Sequence, residues 1–130
     1  MSNIAEKKKI RTFEIIFYEN LIKMKPDFIQ ALTCLAEIYT RNGFISEGLA
    51  LDKHLAELRP EDPVIRYNLA CSLALSGDTD WALRELTRAV LLGYDEFSYI
   101  LQDPDLVLLR RSPLFGKFLA KLKRLNTKDR

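Results

Sequence analysis

Pro26, Pro60 and Tyr94 stand 34 residues apart, and the two segments between them carry one skeleton. The first holds Leu35-Ala36, Gly43, Leu49 and Leu58; the second holds Leu69-Ala70, Gly77, Leu83 and Leu92. A period of this length with small residues at fixed places predicts stacked helix pairs rather than a single compact core. Such a stack offers a surface for holding another chain and is seldom a device for making or breaking bonds.

The local pattern agrees. Ile10, Phe13, Phe17, Leu21 and Met24 recur at three and four, which predicts one buried face of an amphipathic helix closed by Met24-Lys25-Pro26-Asp27. A second helix is expected from about Phe28 to Asn42, with Leu32, Leu35, Ala36 and Tyr39 inward and Gly43 taking the left-handed conformation that ends it. A third runs from about Ile45 to Leu58 and stops before Arg59-Pro60. Asp62 is a good N-cap with Pro63 at the first helical position, so a fourth extends to Ser76 and stops at Gly77. The fifth starts at Asp78 to Asp80, carries Trp81, Ala82, Leu86 and Ala89 inward and ends at Gly93. No sustained alternation competes, so the chain is expected to be all-α.

These residues resemble tetratricopeptide repeats, the 34-residue helix–turn–helix units of peptide-binding solenoids. Segments 29–62 and 63–96 correspond to two repeats, the second the better match through Leu69, Ala70, Gly77, Ala82 and Ala89. Small side chains let helices cross closely, so Ala36 is expected against Gly48, and Ala70 against Ala82. Asp52 departs from the family's aromatic, Leu55 from its alanine and Arg66 from its tryptophan. Residues 10–26 fit the second helix of an earlier unit, with Tyr18, Leu21, Met24 and Pro26 in phase and Glu14 at a place normally small. This half repeat leaves one side without its partner, to be capped by residues 1–9 or paired with a second molecule. From Gly93-Tyr94 onward, Asp103-Pro104-Asp105-Leu106 and Leu109 to Phe115 are similar to a terminal module that closes such arrays in many bacterial proteins. Asp103 and Ser112 each precede a first-turn proline, so two helices should begin in quick succession. Leu106, Leu109, Phe115, Phe118, Leu119 and Leu122 would supply the apolar cover. The resemblance implies one domain over residues 1–130, a short α–α superhelix with capping helices at 97–125 and a basic tail at 126–130.

Composition sets bounds. A chain of 130 residues, 48% hydrophobic, is large enough for one domain. No run of 18 apolar residues occurs and the charged N-terminus has none behind it, so neither a signal peptide nor a membrane span is expected, and the cytoplasm is the expected compartment. Cys34 and Cys71 match no metal spacing and no redox pair, and are expected as reduced, semi-buried packing residues. Charge is uneven: +3 over residues 1–12, −8 over 13–109 and +7 over 110–130. The basic ends are either solvated or paired with the acidic body of a neighbouring copy. A nucleic-acid contact through Lys117 to Arg130 is less expected, because Phe115 and Phe118 fall on an apolar stripe instead of interleaving with the basic residues.

Catalytic chemistry finds no constellation. His54 is the single histidine and faces outward from the third helix, Asp103 and Asp105 read as cap and dipole service beside Pro104, and the five glycines sit at helix ends without forming a phosphate-cradling loop. No enzyme activity, metal or cofactor is expected.

What remains is the concave surface, which the resemblance assigns to the first helix of each unit. The first unit offers Gln30, Thr33, Glu37, Thr40 and Arg41; the second offers Val64, Tyr67, Asn68, Cys71, Ala74 and Leu75. Val64, Tyr67, Cys71 and Leu75 form an apolar strip beside the Asn68 amide, with Tyr67 as first anchor for a hydrophobic side chain of a peptide. Alternatively the C-terminal helices cover the strip and it is core. Some relatives grip a terminal carboxylate with paired lysine, arginine and asparagine; here only Asn68 matches, with Thr33, Glu37 and Gln102 at the other places. The expected function is non-catalytic binding of a protein or peptide, the alternative a self-assembling subunit docked through its N-terminal half repeat.

Overall fold

The computed structural model describes residues 10–128. In order, the chain forms α1 (Phe13–Met24), α2 (Ile29–Arg41), α3 (Ile45–Leu58), α4 (Pro63–Leu75), α5 (Thr79–Leu91), α6 (Phe97–Ile100), a 3-10 turn (Pro104–Leu106), α7 (Val107–Arg110) and α8 (Phe115–Lys128). The fold is all-helical, and no strand occurs among the described residues. Capping by residues 1–9 and the last two residues of the basic tail lie outside the described residues.

Local chemistry places the helix ends. The Thr12 hydroxyl accepts from the Ile15 N–H at 3.3 Å, Asp62 from Val64 and Ile65 at 2.9 and 3.2 Å, and Asp78 from Trp81 at 3.3 Å. Each satisfies an amide that has no partner within its own helix. At the other ends, Gly43 and Gly77 take φ of 87° and 88°. There the residue after glycine donates back to the third carbonyl from the helix end: Phe44 to Tyr39 at 2.8 Å and Asp78 to Leu73 at 3.0 Å. The same bond recurs after α5, where Tyr94 donates to Ala89 at 2.9 Å. Only glycine enters the left-handed region without a Cβ penalty, so the helices stop where the glycines stand.

Each long helix packs on its sequence neighbours: α2 on α1 and α3, α4 on α3 and α5. The α2–α3 crossing is tight, since a Cβ added at Gly48 would meet the Thr40 hydroxyl oxygen at 2.6 Å and the Ala36 carbonyl at 3.3 Å. Ala70 and Ala82 are both fully buried in the core that α4 and α5 share. The 3-10 turn and α7 close over α4, and α7 and α8 over α5; Leu106, Leu109, Phe115, Phe118 and Leu122 are buried and Leu119 packs beside them. Arg110 fastens this closure by donating to the carbonyls of Ile100 and Asp103 at 2.9 and 2.8 Å. Arg66 donates to the Pro60 carbonyl at 2.9 Å and pairs with Glu85 at 3.0 Å, tying the turn, α4 and α5 together.

Three expectations need correction. The face expected to bury α1 is outward: Phe13 is 84% and Met24 78% exposed. The helix is apolar on most sides, and the side that meets α2 is Ile15, Tyr18 and Ile22, packed with Leu35, Ile38, Tyr39 and Phe44. Trp81 is half exposed instead of inward, its ring covered by the Arg84 guanidinium at 4.7 Å, because Ala82, Leu86 and Ala89 already fill the contact with α4. Cys34 is exposed, whereas Cys71 is buried.

Candidate functional site

Thr33, Ala36, Glu37, Thr40 and Arg41 follow one another at helical spacing along one face of α2, and Tyr67, Asn68, Cys71, Ser72 and Leu75 do so along α4. The two faces meet over a cleft of about 620 Å³, with Ile45 and Asp52 of α3 between them and Tyr99, Asp103 and Asp105 at the C-terminal side. Of the eleven residues assigned to the concave surface in the sequence, Thr33, Glu37, Thr40, Arg41, Tyr67, Asn68, Cys71 and Leu75 come together here. Gln30, Val64 and Ala74 do not line it; the first two are exposed and Ala74 is buried in the core.

The strip divides at Tyr67. Instead of standing free as an anchor, Tyr67 is 5% exposed, stacked on Tyr94 with centroids 4.1 Å apart and planes 5° apart. Its hydroxyl donates to Asp103 Oδ2, and the Cys71 thiol lies 3.6 Å from the same oxygen. The chain from Tyr94 to Leu106 folds back over α4 and takes these two side chains into the core, so the alternative of C-terminal cover holds for them. Leu75 and Asn68 remain half buried at the cleft. Burial, then the bond to Asp103, pushes the Tyr67 phenol far up, and burial followed by the Asp103 charge does the same to the Cys71 thiol. Neither ionises near neutrality.

Asp103 does cap its turn, with Oδ1 accepting from the Asp105 N–H at 2.9 Å, but the same carboxylate also anchors α4. It is buried with both oxygens engaged. Asp105 is half buried, and burial followed by its neighbour Asp103 raises it from the ordinary carboxylate value. Cys71, Asp103 and Asp105 offer ligand atoms within 4.8 Å of one another, but Asp103 Oδ2 already serves Tyr67 and Cys71.

By sequence, Asp52 stands out only as a departure from the repeat pattern, with no place in the site. It is 5% exposed between α3 and α4, the Ser72 hydroxyl donates to Oδ2, and no other described residue donates to Oδ1. Burial pushes its carboxyl up to about 7, against the smaller opposing effect of the Ser72 bond. The signal was present: Asp52 lies one turn from both Gly48 and Leu55, and those two positions mark a buried face. His54 stands at the surface, 3.3 Å from Asp27 Oδ1 and 3.6 Å from Glu57 Oε1, away from the cleft.

No family model matches the chain, and no solved structure matches it. The chain is similar to a protein of Arabidopsis thaliana whose name calls it chloroplastic, 31% identical over 108 residues, which cover 79% of this chain and 32% of that protein. It thus spans about a third of the relative's length. Among the described residues no helix is long and apolar enough to cross a membrane.

Proposed function

We propose that this chain is a non-catalytic interaction module of tetratricopeptide-like build that holds a segment of a partner protein in the cleft between α2 and α4. The observation that carries the reading is convergence: eight of the eleven residues chosen from the repeat register line one cleft. A 34-residue recurrence of the same helix-ending bonds at Gly43 and Gly77 supports the repeat build. With Tyr67 and Cys71 taken into the core, the contacts offered to a partner are Thr33, Glu37, Arg41, Asn68 and Leu75. The cytoplasm stays the proposed compartment, with the chloroplast of the relative's name as the competing one; imaging of the tagged full chain in its own cell separates the two.

The test is an affinity pull-down with the intact chain, repeated with Asn68→Arg inside the cleft and Val64→Arg outside it. A prey lost with the first and kept with the second supports the reading, provided both variants melt like the parent. A prey that survives Asn68→Arg removes it.

A second reading, self-assembly, is favoured by one observation: α1 turns Phe13, Phe17 and Met24 to solvent, an apolar stripe of the kind that marks association surfaces. Light scattering over a concentration series decides, because a monomer at every concentration eliminates it.

A further inference from the structure

The cleft has a sign. Glu37, Asp52, Asp103 and Asp105 line it against the single guanidinium of Arg41. Ion pairs among the described residues include Arg11–Glu19, His54–Asp27, His54–Glu57 and Arg66–Glu85, and no described cation pairs with any of the four cleft carboxylates. Glu37 and Asp105 are open to solvent in whole or in part, and their charge is cheaply hydrated. Asp52 is different. Its carboxylate has room for about four hydrogen bonds, yet among the described residues one hydroxyl, on Oδ2, is all that donates to it, and the residue is 5% exposed. Asp52 is among the residues that line the cleft. A carboxylate removed from water and left half satisfied costs free energy that an arriving donor recovers. An arriving cation recovers more, since charge-assisted hydrogen bonds are roughly twice as strong as neutral ones.

We infer that the cleft seats a cationic side chain, lysine or arginine, carried by the partner segment, with Asp52 and Glu37 as its acceptors. Tyr99 lines the same cleft half exposed and presents a ring to the stem or the charge of that side chain. Arg41, exposed on α2, opposes a second positive charge and so favours one cation over a basic run. The inference rests on the proposal that the cleft holds a peptide segment, and the experiment separates the two.

The isotope-labelled full chain is titrated by NMR with acetylated, amidated alanine pentapeptides whose central residue is lysine, arginine, norleucine or glutamate. The lysine and arginine peptides are expected to shift the amides of Asp52, Asn68 and Cys71 saturably, about tenfold more tightly than norleucine. Asp52→Asn and Glu37→Gln should each weaken the lysine peptide about threefold or more and leave the norleucine peptide unchanged. Equal affinity for lysine and norleucine, or a preference for glutamate, at the same amides overturns the cationic inference and leaves the peptide cleft standing. If all four peptides leave those amides unmoved, both fall.

Discussion

Asp52 is held between α3 and α4 with Ser72 as its one donor, and its carboxyl is pushed up to about 7 by burial. Because the folded chain holds this proton more tightly than the unfolded one, stability is full below the ordinary carboxylate value near 4 and declines as pH rises from about 4 to about 7. Asn keeps an acceptor for Ser72 and carries no charge. Asp52→Asn should therefore stabilise the protein by roughly 2–4 kcal/mol at pH 8 and by nothing measurable near pH 4; urea midpoints at the two pH values check it, and a variant weaker than the parent at pH 8 refutes the account. Tyr67 makes the opposite case. Tyr67→Phe keeps the ring on Tyr94 and strips the donor from Asp103, an expected cost of about 1–3 kcal/mol. Tyr67→Ala also opens a cavity and should cost about 3–5 kcal/mol, so binding lost with it would report unfolding, not a lost contact.

At the scale of elements, the glycines separate two kinds of constraint. Gly77 has φ of 88° and nothing within 4 Å of the place a Cβ would take, so Gly77→Ala should cost about 1–2 kcal/mol through backbone conformation alone. Gly48, expected at a helix end like the other glycines, instead sits inside α3, and its constraint is the Thr40 hydroxyl oxygen 2.6 Å from the position of an added Cβ. Gly48→Ala should cost about 1–3 kcal/mol, and adding Thr40→Ala should restore part of it, since the Ala36 carbonyl at 3.3 Å is the lesser obstacle. Thermal melts of the two single variants and the pair test this; equal losses with and without Thr40→Ala would place the strain elsewhere. The helix ends were legible in sequence because caps and left-handed glycines act within a few residues of themselves. Buried faces were less so. In α1, apolar residues surround most of the helix, and the three-and-four spacing fits Phe13, Phe17 and Met24 as well as it fits Ile15, Tyr18 and Ile22. Which set is buried depends on where α2 lies.

Across the whole molecule the core divides in two. Ile15, Leu35, Ile38, Tyr39 and Phe44 make a small cluster between α1 and α2, while the larger one joins α4, α5 and the C-terminal helices. Amide exchange should accordingly be fastest in α1 among the long helices up to α5 and slowest in α4 and α5. Phe13→Ser should change stability by no more than about 0.5 kcal/mol, whereas Ile15→Ala should cost about 2–4 kcal/mol. A large loss from Phe13→Ser in a chain that stays monomeric would contradict the outward face.

The amino-acid order by itself determined the helical class, the stops at Gly43, Gly77 and Gly93 and most of the residues that converge on the cleft, because capping, left-handed φ and helical spacing are properties of neighbours along the chain. Only the tertiary structure decided that Tyr67 and Cys71 are core, that α1 turns its phenylalanines outward and that Asp52 lies under the cleft. Each of these depends on a distant segment: Asp103 comes to Tyr67 from 36 residues away and Ser72 to Asp52 from 20. Contact at that range is set by how whole helices pack, and a local pattern carries no record of it.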